Sequence, residues 1–250
     1  MFEYFNGKDY PGRGILIGLN DSGKDAVIAY FIMGRSANSR NRRFEIENET
    51  DLMIYPANES KVEDPSLIIY CPLRDLGDIT VVTNGDQTDT IVEHLNAGGS
   101  FEAALGTRTY EPDAPNFTPR ISGILNMPSL YSANDRAESE NRKNKGFAYR
   151  LSILKKHSNE SDDCDRFFYE YEAAPGQAHL IHTYSGVKDG VLLPFEGEPV
   201  KINIGGDSVE DFASKLYDAL DGENLISLFV RYINLESGET SSEIINKTED

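Results

Sequence analysis

The sequence predicts an α+β protein built of antiparallel sheets covered by helices. Three observations predict it: about ten apolar or alternating runs read as strands, only two or three segments carry helical spacing, and the connections are polar and hairpin-like. There is no internal repeat, and no linker rich in Pro, Gly or Ser cuts the chain. One domain over residues 1–250 is therefore expected, with an insertion near 132–165 and a frayed tail at 239–250.

Residues 13–33 read as a hairpin: RGILIGLN is apolar and branched, NDSGK supplies the turn, and DAVIAYFIM returns. Arg35 to Arg43 (RSANSRNRR) follows with four arginines and no acid, and FEIENETDLMIYPA resumes strand-like alternation. Further strands are predicted at 66–71 and 78–83, the second ending at Asn84-Gly85. A helix through IVEHLNA, capped by Thr88 or Thr90 and stopped by Gly98-Gly99, comes next, with FEAALG as a short second helix. The loop YEPDAPNFTPR (110–120) leads into a strand at 121–127. The polar stretch 132–145 reads as a surface loop, and 146–156 and 166–173 as paired strands joined by the acidic loop HSNESDDCD. AHLIHTYSG is another strand. The clearest helix is 207–222, where Val209, Phe212, Ala213, Leu216 and Leu220 share one face, Ser208 and Asp211 offer a capping pair and Gly222 stops the run. NLISLFVRYINLE reads as the final buried strand.

Charge narrows the function classes. The chain carries 24 Lys+Arg against 42 Asp+Glu, a net charge of -18. Over a folded surface of roughly 11,000 Å², that excess repels phosphates from most directions, so neither nucleic acid nor an anionic membrane is an expected partner. An anionic small molecule would have to be caught by a local basic cluster. No run approaches the 18 apolar residues of a membrane span, and MFEYFNGKDYPGRG lacks the pattern of a secretory signal, so a cytoplasmic location is expected. Cys71 and Cys164 read as free thiols. Of the four histidines only His179 and His182 are close. On a strand they face opposite sides, one buried and one exposed, so no metal site is expected.

Standard catalytic motifs are absent, but three segments combine suitable residue types. Arg35, Ser36, Ala37, Asn38, Ser39 and Arg40 join guanidinium forks to short hydroxyl and amide donors, which suits a phosphate monoester. Thr83 to Asp89 links a buried strand to a helix N-terminus, a position that favours anions. Tyr110 to Arg120 places Glu111, Asp113 and Arg120 among turn-fixing prolines. Together they suggest a pocket for an anionic small molecule, with Arg35, Arg40 and Arg120 as donors and Glu111, Asp89 or Asp113 as proton-handling acids.

Four ordered stretches carry a resemblance: GRGILIGLNDSGKDAVIAYFIMGRSANSR, IIYCPLRDLGDITVVTNGDQTDTI, YEPDAPNFTPRISG and AHLIHTYSGVKDGVLLPFEGEP. They resemble the archaeal-type IMP cyclohydrolase family over most of residues 12–200. The first motif departs from the family's R-S-x-P-N-R-like stretch: Asn38-Ser39 stand where a Pro-Asn pair is expected, while Arg35, Ser36 and Arg40 fit.

The resemblance implies a four-layer αββα sandwich similar to that of the N-terminal nucleophile hydrolases. It does not imply their chemistry, because position 2 is Phe. It implies intramolecular closure of 5-formamidoimidazole-4-carboxamide ribonucleotide to inosine monophosphate with loss of water, with no metal or organic cofactor. By motif position, Arg35 would bind or polarise the substrate, Tyr70 would orient it or exchange a proton, and Glu111 would be the acid/base partner. Ser36, Asn84, Asp89 and Arg120 would line the pocket, and Arg40 would bind phosphate, with Arg42 or Arg43 able to do the same. The expected partner is a purine nucleotide, and association into a homo-oligomer stays open. The altered RSANSR motif motivates the alternative, a non-catalytic purine-nucleotide-binding or regulatory protein on the same fold.

Overall fold

The computed structural model describes residues 2–62, 69–127, 147–158, 160–188, 190–205 and 208–247. The predicted hairpin is β1 (Arg13–Leu19) and β2 (Asp25–Met33), paired antiparallel with Ile15 opposite Tyr30. Both strands are buried almost throughout because both faces are covered, so alternate residues enter two different cores. Ile15, Ile17, Tyr30 and Ile32 pack toward a second sheet, while Leu16, Val27 and Phe31 pack outward.

After a single helical turn, α1 (Ala37–Arg40), the second sheet begins with β3 (Arg43–Glu47) and β4 (Asp51–Tyr55). β5 (Leu73–Leu76), β6 (Ile79–Thr83), β7 (Arg120–Asn126), β8 (Ala148–Ser158) and β9 (Ser161–Glu172) continue it in chain order, every neighbour antiparallel. The strand predicted at 66–71 is corrected. Residues 63–68 lie outside the described part, 69–71 form no strand, and pairing starts at Leu73 after Pro72, which has no N–H to donate to a ladder. Of the insertion placed at 132–165, residues 128–146 are outside the described part, and the far end is redrawn: Lys155–Ser158 and Ser161–Asp165 pair at the closed end of a long β8–β9 hairpin. Alternation hid this, because β9 is an edge strand whose polar residues face solvent.

β10 (Gln177–His182) returns to the first sheet beside β1, followed by a separate hairpin, β11 (Tyr184–Lys188) and β12 (Val191–Pro194), and by β13 (Val200–Asn203). β14 (Leu225–Asn234) and β15 (Thr240–Asn246) complete an antiparallel order β13-β10-β1-β2-β14-β15. The expectation of a frayed tail at 239–250 fails over β15, which pairs with β14 from Thr240 to Asn246; residues 248–250 are outside the described part. The polar run TSSE looked tail-like, yet it lies on a sheet edge where hydroxyls are tolerated, and Ile244 and Ile245 pack against the two cores.

The two sheets meet face to face. Their shared core takes Ile15, Ile17 and Phe229 from one sheet and Phe44, Val82, Ile121 and Leu151 from the other. Gly123 on β7 sits where a Cβ would come within 2.7 Å of Ile17 and 3.0 Å of Val82, so the sheets approach closely only because that side chain is missing. Helix α4 (Val209–Ala219) covers the outer face of the first sheet with Val209, Phe212, Ala213 and Leu216, and the Ser208 hydroxyl caps it by accepting from the Asp211 N–H. Helices α2 (Gln87–Asn96) and α3 (Phe101–Gly106) cover the outer face of the second sheet through Ile91, Val92, Phe101, Ala104 and Leu105. The start of α2 is corrected: neither Thr88 nor Thr90 caps it. Thr88 is buried in the first turn with its hydroxyl on Thr83 and on the Gly85 carbonyl, and the N-cap position belongs to Asp86. No helix among the described residues is long and apolar enough to cross a membrane.

Candidate active site

At one end of the sheet sandwich, charged side chains reach a place where apolar ones would be expected. Arg13 begins β1 on the face that Ile15 and Ile17 carry into the shared core. Arg42 lies two residues before Phe44, which enters the same core from β3. Tyr30 comes from β2, Tyr70 from the segment ahead of β5, and Glu111 from the loop ahead of β7. The hydroxyls of Tyr30 and Tyr70 are 3.0 Å apart. Arg42 is 8% exposed, and neither its side chain nor that of Arg13 donates a hydrogen bond to another described residue; both Nε atoms are buried without a partner.

This cluster is electrostatically coupled. Burial disfavours the Arg13 charge, but Glu111 and the surrounding tyrosines outweigh that and raise its pKa. Arg42 goes the other way: burial and the adjacent Arg13 charge lower its pKa. Burial also raises the Glu111 carboxyl, helped by Asp113 and only partly opposed by Arg13, Arg120 and Arg42. Burial likewise raises Tyr70 against the pull of Arg13 and Arg42, and Tyr30 is raised well above the usual phenol value. Two cations with unsatisfied N–H groups, an acid that holds its proton more tightly than usual and a hydroxyl pair therefore share one recess, in which Tyr30 and Arg42 are buried and Arg13, Tyr70 and Glu111 half-buried. The arrangement suits an anionic or strongly polarised ligand that needs protons moved.

A second layer fixes Arg120. Asn84 is fully buried and spends its amide on structure: it accepts from the Ile121 N–H at 2.9 Å and from Gln87 Nε2 at 3.0 Å, and donates to the Pro119 carbonyl at 2.9 Å. Arg120 Nη1 donates to Gln87 Oε1 at 2.6 Å and pairs with Asp86 Oδ1 at 2.7 Å, while its Nε is buried and unpartnered. Gly85 admits this crowding, since a Cβ there would lie 2.7 Å from Arg120 Nη1 and 3.2 Å from Glu111 Oε1. The Glu111 N–H bonds the Thr118 carbonyl at 2.9 Å. The Thr118 hydroxyl joins Asp113 and Tyr184, so the loop that carries Glu111 is tied down at both ends. A cleft of about 530 Å³ opens beside Arg120 on the outer flank, bordered by Arg108, Tyr110, Phe117 and Asp162.

The residues singled out from sequence are distributed unevenly around this recess. Tyr70, Glu111 and Arg120 converge on it. Asn84 stands behind Arg120 as a buried support. Arg35 is exposed, with its guanidinium carbon 4.8 Å from the centre of the Tyr10 ring, which in turn stacks on Tyr184 at 6.0 Å; this places it at the rim. Ser36 caps α1 in a reciprocal box with Ser39. Arg40 donates to the Glu223 carbonyl at 2.7 Å and to Asn224 Oδ1 at 3.3 Å. Asp89 pairs with Arg74 at 2.7 Å on the outside of the second sheet, apart from Glu111. The basic run thus splits four ways: Arg43 pairs with Glu45 on the surface, and Arg42 alone turns into the recess. Arg13 escaped the sequence reading because it opens a strand between two glycines, GRG. Its charge beside a run of branched residues was the available signal.

Away from the recess, His182 is buried and His179 half-buried, on opposite faces of β10. His179 stacks on Tyr171 at 3.6 Å. Among the described residues no three His, Cys, Asp or Glu side chains are grouped to hold a metal, and Cys71 and Cys164 are unpaired.

Comparison with known proteins places most of the chain in one family. A family described as IMP cyclohydrolase-like protein matches residues 10–238. A protein named IMP cyclohydrolase from Methanococcus maripaludis strain C7 is 30% identical over 152 residues, 58% of this chain and 74% of that protein. Its namesake from Methanococcus aeolicus is 31% identical over 57% of this chain and 73% of its own length. One from Methanosphaera stadtmanae is 35% identical over 47% of this chain and 58% of its own length. The chain belongs to the IMP cyclohydrolase-like protein family.

Proposed function

We propose that the protein is an IMP cyclohydrolase, closing 5-formamidoimidazole-4-carboxamide ribonucleotide to inosine monophosphate, the activity for which its archaeal relatives are named. The observation that carries the assignment to this recess is the pair of inward guanidiniums, Arg13 and Arg42, with unpartnered Nε atoms beside Glu111 and the Tyr30–Tyr70 hydroxyl pair. The two packed sheets with helices outside each support reading the fold as the four-layer αββα sandwich of the N-terminal nucleophile hydrolases.

The chemistry asks for positioning, charge stabilisation and proton transfer. The carboxamide nitrogen forms a bond to the formyl carbon while the carbonyl electron pair moves onto the formyl oxygen. Arg13 and Arg42 offer N–H donors for that oxygen, preorganised where charge develops. Glu111, holding its proton more tightly than an ordinary carboxyl, donates to the oxygen and then accepts the proton lost by the attacking nitrogen. Loss of the hydroxyl as water, with the remaining proton leaving the former formamido nitrogen, forms the ring C=N bond. Tyr70, bonded to Tyr30, stands where a hydroxyl can pass one of these protons. Arg35 on Tyr10 at the rim binds the substrate phosphate, with Ser36 and Arg40 shaping that edge, while Asn84 and Arg120 hold the wall behind Glu111.

The test is direct. Purified protein without added metal should convert the formamido nucleotide faster than the spontaneous reaction. Glu111→Gln and Arg42→Met should each lose about 10²-fold or more while melting cooperatively. Binding of inosine monophosphate with no acceleration of ring closure would overturn the catalytic reading in favour of a binding protein.

A further inference from the structure

Asp86 occupies the N-cap position of α2, where a carboxylate ordinarily accepts the helix's own free N–H groups, yet its side chain makes no such bond. It is spent instead on two arginines. Its Oδ2 lies 2.5 Å from Arg108 Nη2, and its Oδ1 lies 2.7 Å from Arg120 Nη1. Arg120 in turn stands across the space left by Gly85 from Glu111 Oε1. The Arg120 guanidinium is therefore paired with Asp86 while it also attracts Glu111, and Asp86 is itself divided between two guanidiniums. Ion pairs run from Arg108 through Asp86 to Arg120, and from Arg120 the link to Glu111 is electrostatic, leading from the surface cleft to the recess.

From this geometry we infer that Asp86 is a positioning residue for ring closure, holding Arg120 away from full engagement with Glu111, with Arg108 setting how strongly Asp86 competes. The inference rests on the reading of Glu111 as the acid/base group. Glu111 is faced by Arg13 from β1, Arg42 from the approach to β3, Arg120 from β7, Tyr70 from the approach to β5 and Asp113 from its own loop. Among these charges, Arg120 is the one paired with a carboxylate, that of Asp86. Removing the Asp86 charge leaves Arg120 to act on Glu111 alone, which favours the ionised carboxylate. Removing Arg108 leaves Asp86 wholly to Arg120, which favours the protonated one. Opposite shifts from two neighbouring residues are not what lost packing alone would produce.

The experiment measures kcat/KM for cyclisation of the formamido nucleotide against pH in wild type, Asp86→Asn, Arg108→Met, Asp86→Glu and Glu111→Gln. Glu93→Gln serves as a matched charge change on the exposed side of the same helix. Asp86→Asn should move the limb due to Glu111 to lower pH by about half a unit or more, and Arg108→Met should move it to higher pH. Asp86→Glu should restore much of the wild-type profile, and Glu93→Gln should not move it. If Glu111→Gln removes the limb while Asp86→Asn and Arg108→Met leave it in place or move it the same way, the inference is overturned and the role of Glu111 stands. If Glu111→Gln retains the wild-type limb, the reading of Glu111 itself is wrong and the inference goes with it. Should Asp86→Asn fail to fold, the sign of the Arg108→Met shift decides the question.

Discussion

Replacing Arg42 by Met is expected to make the protein more stable and inactive at once. Arg42 is 8% exposed, its Nε is buried without a partner, and both burial and the adjacent Arg13 disfavour its charge. An unsatisfied buried polar atom costs about 1–3 kcal/mol. Methionine keeps an unbranched apolar stem of similar length, so little buried apolar area is lost. Against this stands the loss of attraction to Glu111 and Tyr70, which is limited because Glu111 can take up a proton instead. The expected net gain is about 1–2 kcal/mol. In a chain of 250 residues that raises Tm by roughly 2–8 °C, since each kcal/mol is worth about 2–4 °C at this size. Differential scanning calorimetry at neutral pH, beside the cyclisation assay, reads both effects. Added inosine monophosphate should raise the Tm of wild type and do so much less for the variant, because only a ligand bound by the folded state shifts the transition. A variant that melts lower than wild type, or that keeps its activity, would refute the reasoning: Arg42 would then be a satisfied structural cation rather than an unpaired donor awaiting an anion.

Other expectations follow from single contacts. Burial depresses the His182 pKa to about 4, with Nε2 2.7 Å from the Tyr4 hydroxyl and Nδ1 2.9 Å from the Tyr184 carbonyl. A depressed histidine contributes stability that is complete above its unfolded pKa of 6.5 and drains away as pH falls toward 4, a loss of about 3 kcal/mol. Urea unfolding from pH 7 to 4 should show this loss, and His182→Gln should flatten it; an equally steep slope in the variant would contradict the assignment. Arg231 is 1% exposed and crosses between the sheets to Asp75 at 3.1 Å and the Thr50 carbonyl at 2.6 Å. Arg231→Ala should cost about 3–5 kcal/mol by chemical denaturation, and pairing it with Asp75→Asn should recover part of that. Gly85→Ala drives a methyl against Arg120 and Gln87 and should cut kcat about 10-fold or more with a folded circular dichroism spectrum; full activity would mean that Arg120 need not stay where it is. Ser208→Ala removes the α4 cap and should cost about 1 kcal/mol without touching activity.

What the sequence revealed follows from how local each signal is. The β1–β2 hairpin and α4 announce themselves because turn chemistry and apolar spacing are short-range properties. Glu111 and Arg120 stood out because they lie in a polar segment that interrupts a strand pattern, whereas Tyr70 sits on an apolar run and was singled out only through the family resemblance. Arg13 did not, since a single cation at the head of RGILIGL looks like a strand flank until the second sheet closes over it. Arg42 was masked by its three neighbours in the basic run, and only the pairing of β3 decides which of the four arginines turns inward. Asp89 and Asp86 differ by three residues along one polar stretch, yet one faces Arg74 outside the sheet and the other Arg120 beside the recess. β15 was missed because edge strands carry the hydroxyls and charges that loops do.

Asn246, at the end of that strand, has a reach beyond its own sheet. Its side chain accepts from the Phe44 N–H at 2.8 Å and donates to the Phe44 carbonyl at 3.0 Å, so it completes the start of β3 from across the sandwich. Phe44 is two residues from Arg42. The basic wall of the recess therefore depends on a strand that follows every other described strand in the chain. During synthesis on a ribosome, a nascent chain can have both sheets largely built and still lack the clamp that sets Arg42. Ring-closing activity should appear only after β15 has emerged and docked, which makes the onset of catalysis a report on the docking of that strand.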